Sequence, residues 1–341
     1  MTFRLSIAAA LIAPLFAVPA LADDAADCAG SDAAKIIPAC TRIIEGADAP
    51  QGSVAEAYGK RGQFYLHENQ LDKAFADLNE AIRRNPGHAD AHHNRGIAHW
   101  LQGQNEKALA DLGEAIRLSP KTAAESYHTR GRVYGEMGEW EKAMVEFDAA
   151  LKTDPKHLDA LISRGSAHFL KGEVEPAVAD FTKAIEIDPK NADAYETRGA
   201  VYVATSRFPQ AIADLDQAIK LNPQSAQAHL NRGVAYVFQK QLDRAMPDFD
   251  QAVRLDPQNA QVYKERAVAY ALKGQTAQAS SDVDQAIRLA PQYVEALALR
   301  GSLREKFGQR DQAIADYRKA LAVDPSHQKS KDALNRLGAA P

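Results

Sequence analysis

An Arg-Gly pair recurs along this chain every 34 residues, and this period limits the possible folds more than any other feature. Glycine follows seven of the eight arginines, Ala267 follows the other, and one interval is 35 residues. A fixed period of this length is typical of arrays in which each repeat packs only on its neighbours. The chain is therefore expected to be a repeat array rather than ordinary globular domains. The arginines are Arg61, Arg95, Arg130, Arg164, Arg198, Arg232, Arg266 and Arg300.

Small and apolar residues keep constant distances from each arginine. Alanines stand 13 and 20 residues after it in all eight repeats, a larger apolar residue stands 17 after it, and proline stands 25 after it. Spacings of three, four and seven residues place side chains on one face of a helix. Proline ends a helix because it lacks an N–H donor and restricts the residue before it. With glycine midway in five repeats, each repeat is predicted to be two antiparallel helices.

This pattern resembles the tetratricopeptide repeat, in which aromatic, Leu-Gly, Tyr, Ala, Phe, Ala and Pro positions recur over 34 residues. The resemblance covers residues 55–325 in eight repeats, with arginine where the family usually has leucine before glycine. It implies an all-α fold, a right-handed superhelical α-solenoid of antiparallel helix pairs. An RNA-reading pentatricopeptide array is the nearest alternative, but its repeat is longer, and an acidic, exported chain suits it poorly.

The two ends of the chain depart from the repeat. Residues 1–22 are predicted to be a secretory signal peptide, because Arg4 precedes an apolar run that ends in an Ala-Leu-Ala cleavage site. Residues 23–54 are predicted to form an N-terminal cap, a half repeat without its first helix. Export places Cys28 and Cys40 in an oxidising compartment, so they are predicted to form a disulfide. Residues 326–341 are predicted to be a polar capping helix and tail, as the end of an array requires.

An acidic residue stands 16 residues after every arginine, even where Ala267 replaces the glycine. One partner belongs to the first helix and the other to the second. The pairs are therefore predicted to be a structural ladder of ion pairs, within or between repeats, rather than an arginine row facing a ligand. The pairs are Arg61 with Asp77, Arg95 with Asp111, Arg130 with Glu146, Arg164 with Asp180, Arg198 with Asp214, Arg232 with Asp248, Arg266 with Asp282 and Arg300 with Asp316.

Residues that break the pattern are the candidates for partner binding. His93 and His128 share a position, two residues before the arginine, that the resemblance places on a concave groove. Zinc there is an alternative, but no third ligand of suitable spacing is visible, so no metal site and no cofactor are predicted. Histidines in the aromatic positions, such as His92 and His229, are expected to pack in the core. The binding candidates are His93, Asn94, Trp100, His128, Arg132, Phe169 and Phe238.

Composition narrows the function. With 41 basic and 45 acidic residues and no basic stripe, the chain is not expected to bind nucleic acid. No catalytic residue is predicted, because the chain has no phosphate-binding loop and no Ser/His/Asp or Cys/His grouping outside the repeated positions.

The mature chain is expected to have no membrane span and to be exported, periplasmic or secreted, and monomeric. The first hypothesis is a scaffold or adaptor that binds a protein or peptide in its groove in the cell envelope. The alternative is an accessory factor that binds an envelope polymer, such as exported polysaccharide or peptidoglycan.

Overall fold

The structure, a computed structural model, describes residues 18–340, and within that range it consists of nineteen α-helices without a strand. The first helices of the eight repeats are α3 (Gln51–His67), α5 (Ala89–Leu101), α7 (Ala124–Glu136), α9 (Leu158–Leu170), α11 (Ala192–Ala204), α13 (Ala226–Phe238), α15 (Ala260–Leu272) and α17 (Val294–Lys306). The second helices are α4 (Leu71–Arg84), α6 (Asn105–Leu118), α8 (Trp140–Thr153), α10 (Val174–Ile187), α12 (Phe208–Leu221), α14 (Leu242–Leu255), α16 (Thr276–Leu289) and α18 (Arg310–Val323). Two helices, α1 (Val18–Ala29) and α2 (Ala33–Glu45), precede the repeats, and α19 (Gln328–Arg336) follows them. The prediction of an all-α array of helix pairs is confirmed.

The chain divides into two compact parts, an N-terminal half up to Ala160 and a C-terminal half from Leu161. In the N-terminal half, helices α1 to α8 pack in chain order, each on the next. In the C-terminal half, α10 to α19 do the same. The first helices of neighbouring repeats also contact one another, α3 with α5 and α5 with α7 in one half, and α11, α13, α15 and α17 in the other. In each half the first helices therefore line one face side by side.

The turn inside a repeat requires a residue with positive φ. Five repeats use glycine there, at Gly103, Gly138, Gly172, Gly274 and Gly308, with φ between 71° and 80°. Three repeats use Asn69, Ser206 and Lys240, with φ of 55°, 58° and 59°. A residue with a Cβ atom is disfavoured in this region by about 1–2 kcal/mol. The packing of the two helices holds the same turn whether or not the sequence carries its glycine signal.

Where glycine follows the arginine, it is required because the two helices of the repeat approach closely. A Cβ atom added at Gly131 would lie 2.6 Å from Cε1 of Phe147, the large apolar residue of its second helix. The repeat with Ala267 carries Val283 at this second-helix position, and both residues are completely buried. The smaller valine side chain leaves room for the alanine methyl group, so the exception follows from the same packing rule.

The N-terminal cap is built around the bond between Cys28 and Cys40, whose Cα atoms are 4.9 Å apart. Both cysteines are buried, and they pack with Ile43 of α2 and Ala57 of α3. Sequence analysis gave α2 no preceding helix, whereas α1 packs against it. Helix α1 begins at Val18 and runs through the predicted signal cleavage site. The rest of the predicted signal, residues 1–17, lies outside the described residues.

The closing helix α19 covers the last repeat. Its Leu334 is completely buried against Ile314 and Tyr317 of α18. On its outer side Arg336 pairs with Glu305 at 2.9 Å, and the hydrogen bond from Arg336 is the main cause that lowers the pKa of Glu305. None of the helices found between residues 18 and 340 combines the length and apolarity needed to cross a bilayer.

Candidate functional site

Each repeated arginine binds the acidic residue 16 positions later in its own repeat. Arg61 is representative, because its Nε donates to Asp77 Oδ2 at 2.7 Å and its Nη2 donates to Asp77 Oδ1 at 2.9 Å. The same two-point contact occurs in every repeat except that of Arg130. The eight acids are buried. Planar, two-point contacts of this kind fix orientation as well as charge.

A second contact joins five of the arginines to the preceding repeat. Nη1 of Arg95 donates to Asn79 at 2.8 Å, and Nη1 of Arg266 donates to Asp250 at 2.8 Å. Arg198, Arg232 and Arg300 make the same contact with Thr182, Asp216 and Asp284, each 16 residues earlier. Sequence analysis missed this acceptor, although its constant spacing was available as a signal. The pairs therefore lie within repeats, and the arginines link neighbouring repeats as well.

The Arg130 repeat departs from this arrangement. Only Nη2 of Arg130 reaches the acid, contacting both carboxylate oxygens of Glu146 at 2.8 and 2.9 Å. Its Nε is buried without a hydrogen-bond partner among the described residues. The preceding second helix presents Gly113, where an added Cβ atom would lie 3.5 Å from Nη1, so that position offers no side-chain acceptor. The scaffold network is therefore weakest in this repeat.

Two of the histidines expected to pack in the core bind the ladder acids. His92 Nδ1 lies 3.2 Å from Asp111, and His229 Nδ1 lies 2.9 Å from Asp248. Burial raises the pKa of Asp248, but hydrogen bonds from His229 and Arg232 outweigh it, and the net pKa is below the ordinary value. The pKa of Asp111 is lowered by the same balance. These histidines act as additional donors to the network.

Two of the binding candidates, Trp100 and Arg132, contact each other on the N-terminal half. Arg132 lies over the ring of Trp100, with its guanidinium carbon 4.6 Å from the ring centroid. Trp100 Nε1 donates to Glu136 at 2.7 Å, and its ring packs partly on the core. His93 Nδ1 contacts Ser126 Oγ at 2.9 Å, and burial lowers the pKa of His93.

The remaining candidates differ in exposure. Asn94 is buried, at 6% exposure. Phe169 is half-buried and packs on a core cluster that contains Phe181, so its ring is largely structural. Phe238 is 63% exposed and stacks on Phe208, with ring centroids 4.9 Å apart.

An apolar surface that sequence analysis missed surrounds Phe238. The residues two, five and six positions after the arginine are all apolar in three consecutive repeats of the C-terminal half. Phe238 and Leu272 are 63% and 60% exposed, and most of the others are half-buried. We call this surface the apolar face; its residues are Ala200, Val203, Ala204, Val234, Val237, Phe238, Val268, Ala271 and Leu272.

A cavity of about 530 Å³ begins where the apolar face ends. Val268 belongs to both, and Ser302 and Glu295 of α17 continue the lining. Lys264 and Arg336 add positive charge to the lining. The first-helix face of the C-terminal half thus combines an apolar stretch with a polar, mixed-charge end.

The first-helix face of the N-terminal half carries a cluster of ionisable residues. His157 Nε2 lies 3.0 Å from Glu125 Oε2, and His128 Nδ1 lies 3.8 Å from Glu125 Oε1. The centroids of the His128 and His157 imidazole rings are 5.2 Å apart. The hydrogen bond that His157 donates to Glu125 raises the pKa of His157, and the two histidines, His128 first, hold the pKa of Glu125 far below its usual range. Sequence analysis found no third ligand for His128, whereas the fold supplies both Glu125 and His157.

Family models described as tetratricopeptide repeats match most of the repeat region. One matches residues 60–123, 197–260 and 235–294, a second matches 165–206, and a third matches 124–157 and 294–327. A comparison with curated proteins found no match.

Solved structures share the fold at low sequence identity. A tetratricopeptide repeat protein from Parabacteroides merdae is 21% identical, with a TM-score of 0.59 over 73% of this chain and 98% of that one. PilW, described as a widely conserved type IV pilus biogenesis factor, is 21% identical, with a TM-score of 0.58 over 62% and 99%. The Cut9–Hcn1 hetero-tetramer of the APC/C is 15% identical, with a TM-score of 0.64 over 89% and 59%. Repeat period, helix pairing and family models agree, and the chain belongs to the tetratricopeptide repeat family.

Proposed function

We propose that this protein is a non-enzymatic interaction module that binds a protein or peptide on its first-helix faces, with the apolar face as the main contact. The observation that carries the proposal is the run of nine apolar residues at equivalent positions of α11, α13 and α15. Exposed apolar side chains lose contact with water when a partner covers them, which contributes about 25 cal/mol per Å². A surface of this kind on otherwise polar helices is typical of a binding site.

The apolar face favours a protein or peptide over a polymer of sugars. Phe238 and Leu272 project furthest and are the best anchors for a partner's apolar side chains. The adjoining cavity, with Lys264, Glu295 and Arg336, offers groups for the polar backbone or charged ends of a peptide. Binding of a polysaccharide depends on aromatic faces and amides, whereas eight of the nine apolar-face residues are aliphatic.

The polar first-helix face of the N-terminal half is proposed as a secondary contact. Trp100 and Arg132 are already stacked on each other there, so a partner would meet a preformed surface. His93, Asn94 and His128 lie on the same two helices, α5 and α7. Phe169 contributes less, because its ring is committed to the core.

We further propose that the protein acts in the cell envelope. The Cys28–Cys40 disulfide supports this, because such bonds persist in oxidising compartments. The predicted signal peptide in residues 1–22 supports it as well. PilW, which shares the fold, is a type IV pilus biogenesis factor.

The test is selection of binding peptides from a random displayed library, followed by affinity measurement with purified protein. Peptides with apolar residues are expected to bind, and the double variant Phe238→Ala, Leu272→Ala is expected to raise Kd about tenfold or more, or about 1.4 kcal/mol. Val323→Ala is the matched control, because Val323 is 42% exposed on a second helix of the same half.

Peptides whose Kd is unchanged in the double variant would contradict the assignment of the site. Binding of polysaccharide or peptidoglycan fragments, with no peptide selected, would replace the proposal with the polymer hypothesis. Localisation is tested separately, by fractionation and by thiol labelling in cells, which is expected to leave Cys28 and Cys40 unlabelled because they are disulfide-bonded.

A further inference from the structure

Three side chains of the types that can bind metal ions lie close together on the first-helix face of the N-terminal half. Glu125 and His128 are three residues apart in α7, which places them on one side of that helix. His157 lies in the turn before α9. One ligand atom from each residue lies within 4.8 Å of the other two.

We propose that Glu125, His128 and His157 bind a divalent transition-metal ion, with zinc as the ion that fits best. Two imidazoles and one carboxylate are a donor set that zinc uses when a fourth position stays open to water. Hard cations such as magnesium and calcium prefer all-oxygen sites, which this cluster does not offer. The site goes beyond peptide binding and does not depend on it.

The surroundings of the cluster suit an ion that enters from solvent. His128 is 4% exposed and the His157 side chain is 11% exposed, so both rings are held by packing. The Glu125 side chain is 59% exposed, so the cluster is open to solvent on the carboxylate side. An open depression of about 490 Å³ borders the cluster and brings two further carboxylates, Asp154 and Asp159, to its rim. Lys156 also lines this depression, but the carboxylates outnumber it, and the net negative charge would favour cations at the opening.

Binding requires small changes of geometry that the site can make. Ligand atoms bound to zinc at about 2.0–2.1 Å in a tetrahedral arrangement are about 3.3 Å apart, so the cluster must contract. His157 Nδ1 accepts a 3.3 Å contact from the backbone N–H of Ala160. Coordination through Nε2 moves the ring proton to Nδ1 and breaks this long, weak contact.

The sequence shows why only this repeat provides the site. The three ligands stand five and two residues before Arg130 and seven before Arg164. No other repeat fills all three positions with an acid and two histidines. Two of the three positions are filled in the first repeat, in the Arg95 repeat and in the Arg300 repeat. In the first repeat Glu56 Oε2 lies 3.4 Å from His88 Nε2, but Gly59 stands where His128 would be.

The test is zinc titration of the untagged, full-length, chelator-stripped protein, in competition with a chromophoric chelator. One zinc ion per chain is expected to bind, and cobalt is expected to give the intense visible absorption of a tetrahedral site. His128→Leu and His157→Asn are each expected to weaken zinc binding about 100-fold or more, since losing even a second-shell partner costs 10–100-fold.

Both variants use residues that the array already tolerates at these positions, Leu230 for His128 and Asn191 for His157. His88→Asn is the matched control, because it changes the equivalent histidine of the first repeat, where Gly59 leaves only two ligands. It is expected to leave zinc affinity unchanged. Failure of the stripped wild-type protein to bind zinc would overturn the proposal. Equal zinc affinity in wild type, His128→Leu and His157→Asn would overturn it as well.

Discussion

The first-helix faces of the two halves use the same positions of the same repeat for different chemistry. At the positions two, five and six residues after the arginine, the repeats of Arg198, Arg232 and Arg266 carry only apolar residues. In the repeats of Arg61, Arg95 and Arg130 the same nine positions include Gln63, His67, Arg132 and Glu136. The helix pairs themselves are alike in both halves. The scaffold therefore leaves these positions free to vary, and we propose that they determine recognition.

The scaffold of the N-terminal half differs from that of the C-terminal half at one arginine, Arg130. Arg266 makes three hydrogen bonds to two acids, one in its own repeat and one in the preceding repeat. Arg130 contacts Glu146 through Nη2 alone. The weakest link in the network lies beside the proposed metal ligands, in the only repeat reached by a 35-residue interval. An ion bound there would add a constraint where the arginine network has fewer.

The largest predicted effect tests this difference between arginines. Arg266→Met leaves Asp282 buried without its partner and is expected to lower the free energy of unfolding by about 3–5 kcal/mol. Arg130→Met is expected to cost less, by about 1–3 kcal/mol, because fewer charge-assisted hydrogen bonds are lost. Urea unfolding followed by circular dichroism measures both. Equal losses would contradict the conclusion that the network is weakest at Arg130.

The next prediction exchanges the packing rules of two repeats. Gly131→Ala places a methyl group 2.6 Å from Phe147 and is expected to destabilise the protein by about 1–3 kcal/mol. Adding Phe147→Val recreates the Ala267–Val283 pair of the C-terminal half. The double variant is therefore expected to be more stable than the sum of the single effects predicts, with a coupling of about 0.5–3 kcal/mol. Strictly additive effects would contradict this explanation of Ala267.

The smallest predicted effect concerns pH and applies to both halves. The pKa of Asp248 is lowered in the folded state, so its contribution to stability is present above the unfolded value of about 3.9 and is lost as pH falls through the folded value. His229→Tyr removes one donor, which raises the pKa of Asp248 and moves the start of acid unfolding to higher pH. The loss at neutral pH is expected to be about 1 kcal/mol.

Carboxyl NMR titration of Asp248 measures the shift, and His92→Tyr is the corresponding test at Asp111. In that variant the pKa of Asp111 is also expected to rise, because the hydrogen bond from His92 is lost and Arg95 remains as the other donor. An unchanged Asp248 titration in His229→Tyr would show that Arg232 alone determines the pKa.

Much of the scaffold could be predicted from the sequence because it repeats. Alanines 13 and 20 residues after each arginine, with proline 25 after it, were sufficient to predict helix pairs, and the structure places them where predicted. The ladder acids could be chosen from spacing alone. Helix α1 could not, because one helix at the end of an array has no periodic signal to reveal it. Exposure could not be predicted either, as Phe169 and Phe238 show.

The sequence by itself determined the period, the all-α fold, the division of each repeat into two helices and the family, because each depends on residues close together in the chain. Tertiary structure decided which distant residues meet. It brought His157 to Glu125, 32 residues away, and Arg266 to Asp250 across a repeat boundary. It also brought three short apolar segments onto one face. Such contacts depend on how neighbouring repeats pack, and packing is set by the whole surface of each helix pair rather than by any local pattern.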